Sequence, residues 1–230
     1  MDARRWSLVG RLWRRHRWSL PLSIGSAIFF ARLASEMREG EVDGFDRAVQ
    51  RLVDAWRGPL DGIMLAFTKG GGIAPMSALT AGAFVALLAR GHRREARYLV
   101  VSAAGALLLN VVLKAAIHRA RPDEALAYML PSPSSLSFPS GHTMGSTGVV
   151  MSLIVVLHAL DTPKRLRWLA ICLGSVAIGG VGMSRVYFGV HYPSDVLGGL
   201  LAAAAWVSGF TGWMYPHLLP GESTTVEGGA

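Results

Sequence analysis

Five stretches of this chain run for 16 to 20 residues without a single Asp, Glu, Lys or Arg. They are residues 70–89, 98–113, 143–160, 168–184 and 196–215. A helix needs about 20 largely apolar residues to cross a bilayer, and somewhat fewer where polar side chains at its ends reach back to the interface. A soluble core does not require apolar runs of this length, so the sequence predicts a membrane protein built from helices.

A sixth span is predicted over residues 18–37, where the apolar run is interrupted. Pro21 lies near its start, and Arg32 has to extend its guanidinium to one face of the membrane. A cleaved signal peptide is the competing interpretation, but no small-x-small cleavage site follows and the basic region ahead of it is long. The predicted fold class is therefore all-α, a polytopic membrane helix bundle with six transmembrane helices.

The basic residues orient the predicted bundle. Of the 23 Lys and Arg residues, 13 fall in the N-terminal tail and in the loops after the second and fourth spans, which six spans place on one side. The whole net charge of +8 lies on that side, because acids and bases balance on the other. Positive loops stay in the cytoplasm. We therefore predict an inner (plasma) membrane protein with both termini cytoplasmic and without a nucleic-acid partner.

Residues 42–56 repeat apolar side chains at helical spacing, which predicts an amphipathic helix on the outer surface. A packing role for this helix is favoured over that of a substrate lid. The predicted domains are a basic cytoplasmic tail over 1–17, a six-span domain over 18–216 and a disordered cytoplasmic tail over 217–230.

Lys114 and Arg121 form the first of three clusters of functional candidates, because a charge at the edge of a span is costly. Seven residues are about two helical turns, so both cations share one face if the helix persists. Pro122 then discourages a longer helix. Two such cations suit an oxyanion, although cations near a helix C-terminus also stabilise the helix dipole.

The second cluster is the sequence Pro139, Ser140, Gly141 and His142, directly before the fourth span. Ser140 is a suitable N-cap, and the amides at the start of a helix bind anions. Gly141 permits close approach of the backbone, and His142 can donate a proton near neutral pH. A capped helix start alone would explain Ser140 and Gly141, but it leaves His142 unexplained.

The third cluster consists of Ser184, Arg185, His191 and Asp195. Pro193 suits the first turn of the sixth span, so His191 lies at or just before the start of that helix. Asp195 is placed to accept a hydrogen bond from one imidazole nitrogen and to leave the other nucleophilic. An isolated His-x-x-x-Asp pair is usually structural, so the case for a functional role of this pair depends on the predicted topology.

With six spans, all three clusters lie at one face of the membrane, opposite the basic loops. The third span ends outside, the fourth begins outside, the fifth ends outside and the sixth begins outside. Two histidines, three cations and one carboxylate that converge there predict a site for an anionic substrate, with an acid, a nucleophile and an orienting group.

The three motifs together resemble those of the type 2 phosphatidic acid phosphatase superfamily. Eleven fixed residues are present in order: Lys114, Arg121, Pro122, Pro139, Ser140, Gly141, His142, Ser184, Arg185, His191 and Asp195. The match spans residues 114–195, and the six-span layout extends the resemblance to most of the chain. The first hundred residues carry no motif of their own.

The resemblance implies a role for each residue of the motifs. His191 would attack phosphorus and form a phosphohistidine, Asp195 would orient it, and His142 would protonate the leaving oxygen. The residues that would hold the phosphoryl oxygens are Lys114, Arg121, Ser140, Gly141 and Arg185. Fixed cations and amides stabilise the charge that spreads over these oxygens. Family members of this kind need no metal, so no cofactor is expected.

The predicted function is that of a metal-independent membrane hydrolase for lipid phosphates or pyrophosphates, with its site on the periplasmic or extracellular side. Undecaprenyl diphosphate, a polyprenyl diphosphate, is the favoured substrate, because the three motif cations, with Arg119 in reserve, suit a pyrophosphate. Phosphatidate or phosphatidylglycerophosphate is the alternative. The expected partners are the bilayer and the lipid substrate, with no obligatory protein partner.

Two other classes of protein fit parts of the pattern. Vanadate-dependent haloperoxidases resemble the same superfamily but are soluble, which the six predicted spans argue against. A non-catalytic lipid-phosphate binding or transport protein would need only the cations, so the complete set of His142, His191 and Asp195 argues against it.

Reporters fused after Ala230 test the predicted orientation. We expect green fluorescent protein to fluoresce there and alkaline phosphatase to stay inactive, because six spans return the chain to the cytoplasm. The same pair fused after Arg57, in the predicted outer segment, should behave in the opposite way. Active alkaline phosphatase after Ala230 would contradict the six-span prediction.

Overall fold

The computed structural model describes residues 19–123, 128–130 and 135–218. These residues form eight helices and no strand. The helices are α1 (Ser19–Arg38), α2 (Asp43–Asp54), α3 (Asp61–Gly70), α4 (Ile73–Ala89), α5 (Arg93–Ile117), α6 (Gly141–Ala159), α7 (Lys164–Tyr187) and α8 (Pro193–Leu218). The predicted basic tail over 1–17 lies outside the described residues. Of the tail predicted to be disordered over 217–230, the first two residues belong to α8, and residues 219–230 lie outside the described residues.

Within the described residues, four helices are long and apolar enough to cross a membrane, namely α5, α6, α7 and α8. A fifth span results if α3 and α4, which meet at a bend of 53°, count as one bent span. α1 has 20 residues but does not meet the same measure of length and composition. The all-helical membrane fold is therefore confirmed, whereas the predicted count of six spans is not.

α1 packs along α8 and runs in the opposite direction. Ser19 lies against Gly212, the Ser23 hydroxyl donates to the carbonyl oxygen of Ala205 at 2.8 Å, and Phe30 packs on the cluster near the start of α8. The other face of α1 exposes apolar side chains, including Leu20, Ile24, Ile28 and Phe29. α1 therefore has a protein-facing side that includes Ser19, Ser23 and Phe30, and an apolar side directed away from the bundle.

Glycines let the membrane helices touch closely. A Cβ atom added at Gly180 of α7 would lie 2.3 Å from the ring of Phe67 on α3, and one at Gly148 of α6 would lie 2.7 Å from Cβ of Ala106 on α5. Small residues at such crossings allow the backbones to approach, which is the main source of packing energy between helices in lipid.

α2 lies within the segment predicted to be an amphipathic helix, and it contacts α7 and α8. Val49 and Val53 pack on the bundle, but Phe45 and Leu52, from the same apolar stripe, are exposed. The buried side also contains an acid, Asp46, which is 3% exposed. One part of the apolar stripe of α2 therefore packs on the bundle, and the other part is exposed.

Gly199→Ala should destabilise the fold, because the new Cβ would meet the carbonyl oxygen of Ser140 at 2.8 Å. Overpacking of this kind costs about 1–3 kcal/mol. Gly179→Ala is the matched control, since nothing lies within 4 Å of its added Cβ and alanine favours the helix. Thermal unfolding in detergent measures both variants. Equal unfolding temperatures for Gly199→Ala and the wild type would contradict the close crossing of α6 and α8.

Candidate active site

The two cations of the first cluster do not share a helix. α5 ends at Ile117, and His118 adopts a left-handed backbone conformation with φ of 55°. Lys114 lies in the last turn of α5, whereas Arg121 follows in an irregular segment. The predicted common helical face required the helix to persist, and that condition is not met.

Lys114 instead ties the end of α5 to the segment that precedes α6. Its Nζ donates to the carbonyl oxygen of Leu136 and, at 3.3 Å, to that of Ser137. Asn110, one turn earlier on α5, donates from Nδ2 to the carbonyl oxygen of Pro139 at 3.1 Å. These bonds hold the start of α6 against the end of α5, and they bring the first and second clusters together.

Arg121 connects the same segment to the third cluster. Its guanidinium donates to the carbonyl oxygens of Ser135 at 2.7 Å and of Val190 at 2.5 Å. Its Nη1 also lies 3.1 Å from Nε2 of His191. Because a guanidinium has only donors, Nε2 is the acceptor in this contact and presents its lone pair toward Arg121.

The other imidazole nitrogen of His191 faces Asp195. Nδ1 lies 3.3 Å from Oδ2 of Asp195, so Nδ1 carries the proton and the carboxylate fixes the tautomer that leaves Nε2 nucleophilic. His191 is 1% exposed. Burial lowers its pKa to about 4, against the raising effect of Asp195, and the imidazole is therefore neutral at pH 7.

Ser137 also binds the carboxylate of Asp195, and the sequence analysis missed it. Its Oγ donates to Oδ2 of Asp195 and lies 3.4 Å from Nδ1 of His191. The amide of Tyr192 donates to the same carboxylate oxygen at 2.8 Å. Ser137 is one of several serines in a Ser- and Pro-rich run, so neither its residue type nor its spacing distinguished it.

α6 begins beside this pair, with Ser140 in the N-cap position. The Ser140 hydroxyl makes no capping hydrogen bond and instead accepts one from Oγ1 of Thr143 at 3.1 Å. Because the N-cap side chain does not bind them, the first amides of α6, from Gly141 onward, can donate hydrogen bonds to another acceptor. The amide of Ser140 donates to the carbonyl oxygen of Asp195 at 2.9 Å, which joins the second cluster to the third.

Arg185 is a buried cation at the end of α7, only 5% exposed. One of its terminal nitrogens donates to Oγ1 of Thr68 on α3, while its buried Nε has no hydrogen-bond partner. A buried donor without a partner is costly, and an anion bound here would supply one. Thr68, which holds this side chain in place, was not predicted from the sequence.

His142, in the first turn of α6, lines an apolar cavity of about 420 Å³ between α4, α5 and α6. Most of the walls are alkyl, phenyl and glycine groups, among them Met76, Phe84 and Leu107. His142 also interacts electrostatically with two cations of the site, Arg185 and Arg121. His142 thus stands at the boundary between a polar site and an apolar cavity.

All eight predicted site residues come together where α5 ends and where α6 and α8 begin. They are Lys114, Arg121, Ser140, Gly141, His142, Arg185, His191 and Asp195. The contacts described above link each of the three clusters to the others. The arrangement offers a neutral imidazole, buried cations and a helix N-terminus, which together are suited to bind an oxyanion and attack its central atom.

Arg119 was predicted to be a reserve cation for the substrate, but the structure pairs it with two carboxylates. Its Nη1 lies 2.7 Å from Oδ1 of Asp195, and its Nη2 lies 2.8 Å from Oδ2 of Asp46. Both carboxylates are buried, so the charge of Arg119 is already neutralised. Asp46 belongs to α2, and nothing in the sequence pattern linked that helix to the site.

The sequence profile of the PAP2 superfamily matches residues 95–218. Phosphatidylglycerophosphatase B of Bacillus subtilis (strain 168) is 47% identical over 94 residues, which are 40% of this chain and 44% of that protein. An undecaprenyl-diphosphatase of Sulfolobus acidocaldarius is 35% identical over 153 residues, which are 65% of this chain and 68% of that protein. The chain thus spans about half the length of the first curated relatives, from 44% to 58%.

A solved structure shares the fold. It is the crystal structure of the first transmembrane PAP2 type phosphatidylglycerolphosphate phosphatase from Bacillus subtilis, which superposes with a TM-score of 0.76 at 27% sequence identity. The superposition covers 85% of this chain and 96% of that one. The similarity therefore extends from the motif region to most of the helix bundle.

Histidine-selective NMR tests the ionisation of His191. We expect its imidazole to be neutral and protonated on Nδ1 at pH 6, and to titrate near pH 4, because burial opposes the charged form. Asp195→Asn should lower this pKa further, since the carboxylate favours the imidazolium. The signal is assigned by its loss in His191→Gln. A doubly protonated His191 at pH 6 would contradict the neutral state, and a neutral ring protonated on Nε2 would contradict the tautomer.

Proposed function

Because this chain belongs to the PAP2 superfamily, we propose that it is an integral membrane phosphatase that hydrolyses a lipid phosphate or pyrophosphate through a phosphohistidine. The observation that carries the proposal is the orientation of His191, with Nδ1 toward Asp195 and Nε2 toward Arg121. A neutral imidazole fixed in this tautomer is a nucleophile beside a cation that attracts phosphate.

In the first step, Nε2 of His191 attacks phosphorus while the bond from phosphorus to the leaving oxygen breaks. Asp195 stabilises the positive charge that develops on the imidazole, as the carboxylate does in a Ser-His-Asp triad. His142 donates its proton to the leaving oxygen, which departs as the hydroxyl of a lipid alcohol or as a lipid monophosphate. His142, between the cations and the apolar cavity, is well located for this role.

In the second step, water attacks the phosphorus of the phosphohistidine, and the bond from phosphorus to Nε2 breaks. His142, now neutral, accepts a proton from the water, so that it is again an acid for the next turnover. Inorganic phosphate leaves, and His191 returns to the tautomer set by Asp195.

The phosphoryl oxygens are held by the cations and by the start of α6. Lys114, Arg121 and Arg185 supply the positive charges, and Ser140 with the amide of Gly141 supplies further donors. The buried Nε of Arg185 without a partner supports this assignment, because a phosphoryl oxygen would satisfy it. In phosphoryl transfer, positioning and charge stabilisation of this kind account for most of the catalysis.

The apolar cavity beside His142 supports a lipid as the substrate. Its volume of about 420 Å³ and its walls of alkyl and phenyl groups suit a hydrocarbon chain. A tail that enters this cavity carries the phosphate to the cations. Soluble phosphate esters lack that anchor, so we expect them to be poorer substrates.

Undecaprenyl diphosphate remains the first choice of substrate. The apolar walls of the cavity suit the hydrocarbon chain of a polyprenyl lipid. The relative from Sulfolobus acidocaldarius, which is named an undecaprenyl-diphosphatase, supports the same choice over 65% of this chain. The count of cations no longer supports it, because Arg119 is bound to two carboxylates.

Phosphatidylglycerophosphate is the second candidate. The phosphatidylglycerophosphatase of Bacillus subtilis has the higher identity, 47%, over the 94 residues that it shares with this chain. A phosphomonoester on a diacyl lipid needs no more than the three motif cations. Phosphatidate has the same chemistry and belongs with this alternative.

We also propose that α1 crosses the membrane, which gives six spans, with the site on the periplasmic or extracellular side of the inner membrane. α1 runs antiparallel to α8, and it exposes an apolar face away from the bundle. With six spans, the basic loops that include Arg90 and Lys164 lie in the cytoplasm and the site lies opposite. Metal independence is part of the proposal, because the chain's own cations provide the charge.

Substitutions of His191 and Asp195 test the mechanism. We expect His191→Ala to reduce kcat by at least about 10³-fold and Asp195→Asn by at least about 10²-fold, since the nucleophile is lost or misoriented. His92→Gln, a change at the opposite end of the bundle, should leave kcat unchanged. Phosphate release from a lipid phosphate in detergent is measured. Full activity of His191→Ala would refute the phosphohistidine, and lipid binding without turnover in the wild type would indicate a non-catalytic binding protein.

A comparison of substrates with and without chelator tests the remaining choices. We expect kcat/KM to be higher for undecaprenyl diphosphate than for phosphatidylglycerophosphate or phosphatidate, and EDTA to have little effect. A tenfold preference for either diacyl lipid, about 1.4 kcal/mol in transition-state binding, would reverse the order of substrates. Loss of activity in EDTA that Mg²⁺ restores would contradict metal independence.

A further inference from the structure

The carboxylate of Asp195 has a second oxygen, Oδ1, that binds Arg119 and not His191. Oδ2 receives the hydrogen bonds from Ser137 and Tyr192 and faces His191, whereas Oδ1 receives Nη1 of Arg119 at 2.7 Å. The carboxylate is completely buried. Its rotation about the Cβ–Cγ bond is therefore set from both sides, by the groups on Oδ2 and by one guanidinium on Oδ1.

Arg119 is itself held by α2. Its Nη2 donates to Oδ2 of Asp46 at 2.8 Å, and its side chain is 12% exposed. Asp46 in turn accepts hydrogen bonds from the amide of Ser194 at 2.8 Å and from its hydroxyl at 2.6 Å. The guanidinium of Arg119 also lies over the ring of Tyr192, 4.1 Å from its centroid. The result is a closed network from α2 through Arg119 to the first turn of α8.

The positive charge of Arg119 compensates the two buried carboxylates of this network, Asp46 and Asp195. Two buried carboxylates near each other are unfavourable unless a cation lies between them. Burial lowers the pKa of Arg119, but Asp195 and Asp46 together outweigh it and raise the pKa, so the guanidinium remains charged. Its planar fork can bind both acids at once, which the single ammonium of a lysine does less well.

We propose that Arg119, anchored by Asp46 of α2, is a positioning residue that fixes the carboxylate of Asp195 and through it the nucleophilic imidazole of His191. This inference rests on the proposed function. Arg119 acts from the side of Asp195 opposite His191, so it affects the chemical step and leaves substrate binding to Lys114 and Arg121. α2 is accordingly a part of the catalytic apparatus that supports the site from the surface.

The network also sets the electrostatic surroundings of His191. The charged and titratable groups that face this imidazole are Asp195, Arg121, Arg185 and His142, with Arg119 and Lys114 acting on Asp195. Arg119 neutralises part of the negative charge that Asp195 presents to the imidazole. Without Arg119, the protonated form of His191 is favoured, and its attack on phosphorus requires a higher pH.

Kinetics of Arg119→Gln test the proposal with the purified, full-length chain and undecaprenyl diphosphate or phosphatidylglycerophosphate. We expect kcat to fall at least tenfold with KM within a factor of two, and the acid limb of the pH profile to move to higher pH. Arg119→Lys should recover part of kcat and most of the pH profile, because the charge is kept. Asp46→Asn should resemble Arg119→Gln in a weaker form, and the double variant should be no worse than Arg119→Gln alone.

Arg47→Gln is the matched control, because it removes an exposed cation next to Asp46 on α2 without a contact to the network. It should match the wild type in kcat, KM and pH profile. A wild-type kcat and pH profile for Arg119→Gln would overturn the proposal. A raised KM with unchanged kcat would overturn it as well, because Arg119 would then bind the substrate.

Two further measurements separate this inference from folding and from the proposed function. Thermal unfolding is recorded for each variant, and if Arg119→Gln does not fold, Arg119→Lys and Asp46→Asn provide the same kinetic comparison. Histidine NMR of His191 needs no turnover, and Arg119→Gln should raise the pKa of that imidazole. A wild-type protein that is inactive on every lipid phosphate refutes the proposed function, while the NMR result still decides the role of Arg119.

Discussion

The burial of one carboxylate organises this molecule. Asp195 lies in the first turn of α8 with no exposed surface, so every lone pair that it brings into the protein needs a donor. Two of those donors are remote in sequence, Ser137 before α6 and Arg119 after α5, and the third is the amide of Tyr192 just before α8. Each segment is irregular, and each is held in place by its bond to the same group. The carboxylate is thus the point at which both ends of the connection from α5 to α6, the connection from α7 to α8 and α8 itself are fixed relative to each other.

Close helix contacts make that burial possible. The start of α6 can lie against α8 because Gly199 leaves room for the carbonyl oxygen of Ser140, and the amide of Ser140 then reaches the carbonyl oxygen of Asp195. At the other side of the site, α3 passes near α7 at Gly180, and Thr68 of α3 binds the guanidinium of Arg185. The polar site therefore depends on small residues, which carry no chemistry of their own but determine how near the helices come.

Local patterns in the sequence predicted the parts of the structure that local physics controls. The charge-free stretches became helices, and Pro193 is the first residue of α8. The missed contacts are those between residues remote in sequence: Asp46 and Ser194 are 148 positions apart, and Ser137 and Asp195 are 58 apart. No periodicity or spacing encodes such pairs, because they depend on how helices pack. The common face of Lys114 and Arg121 depended on a longer helix, but α5 ends at Ile117, where His118 takes a left-handed conformation.

The depth of His191 constrains what can follow its phosphorylation. With 1% of its surface exposed, His191 has almost no contact with bulk solvent. In the proposed reaction, the second acceptor therefore has to occupy the space that the leaving group has vacated, beside His142. Water is small enough to arrive there, and so is a short alcohol, whose oxygen would be deprotonated by His142 in the same manner. In the proposed reaction, the size and polarity of that space would decide whether water or a short alcohol accepts the phosphoryl group.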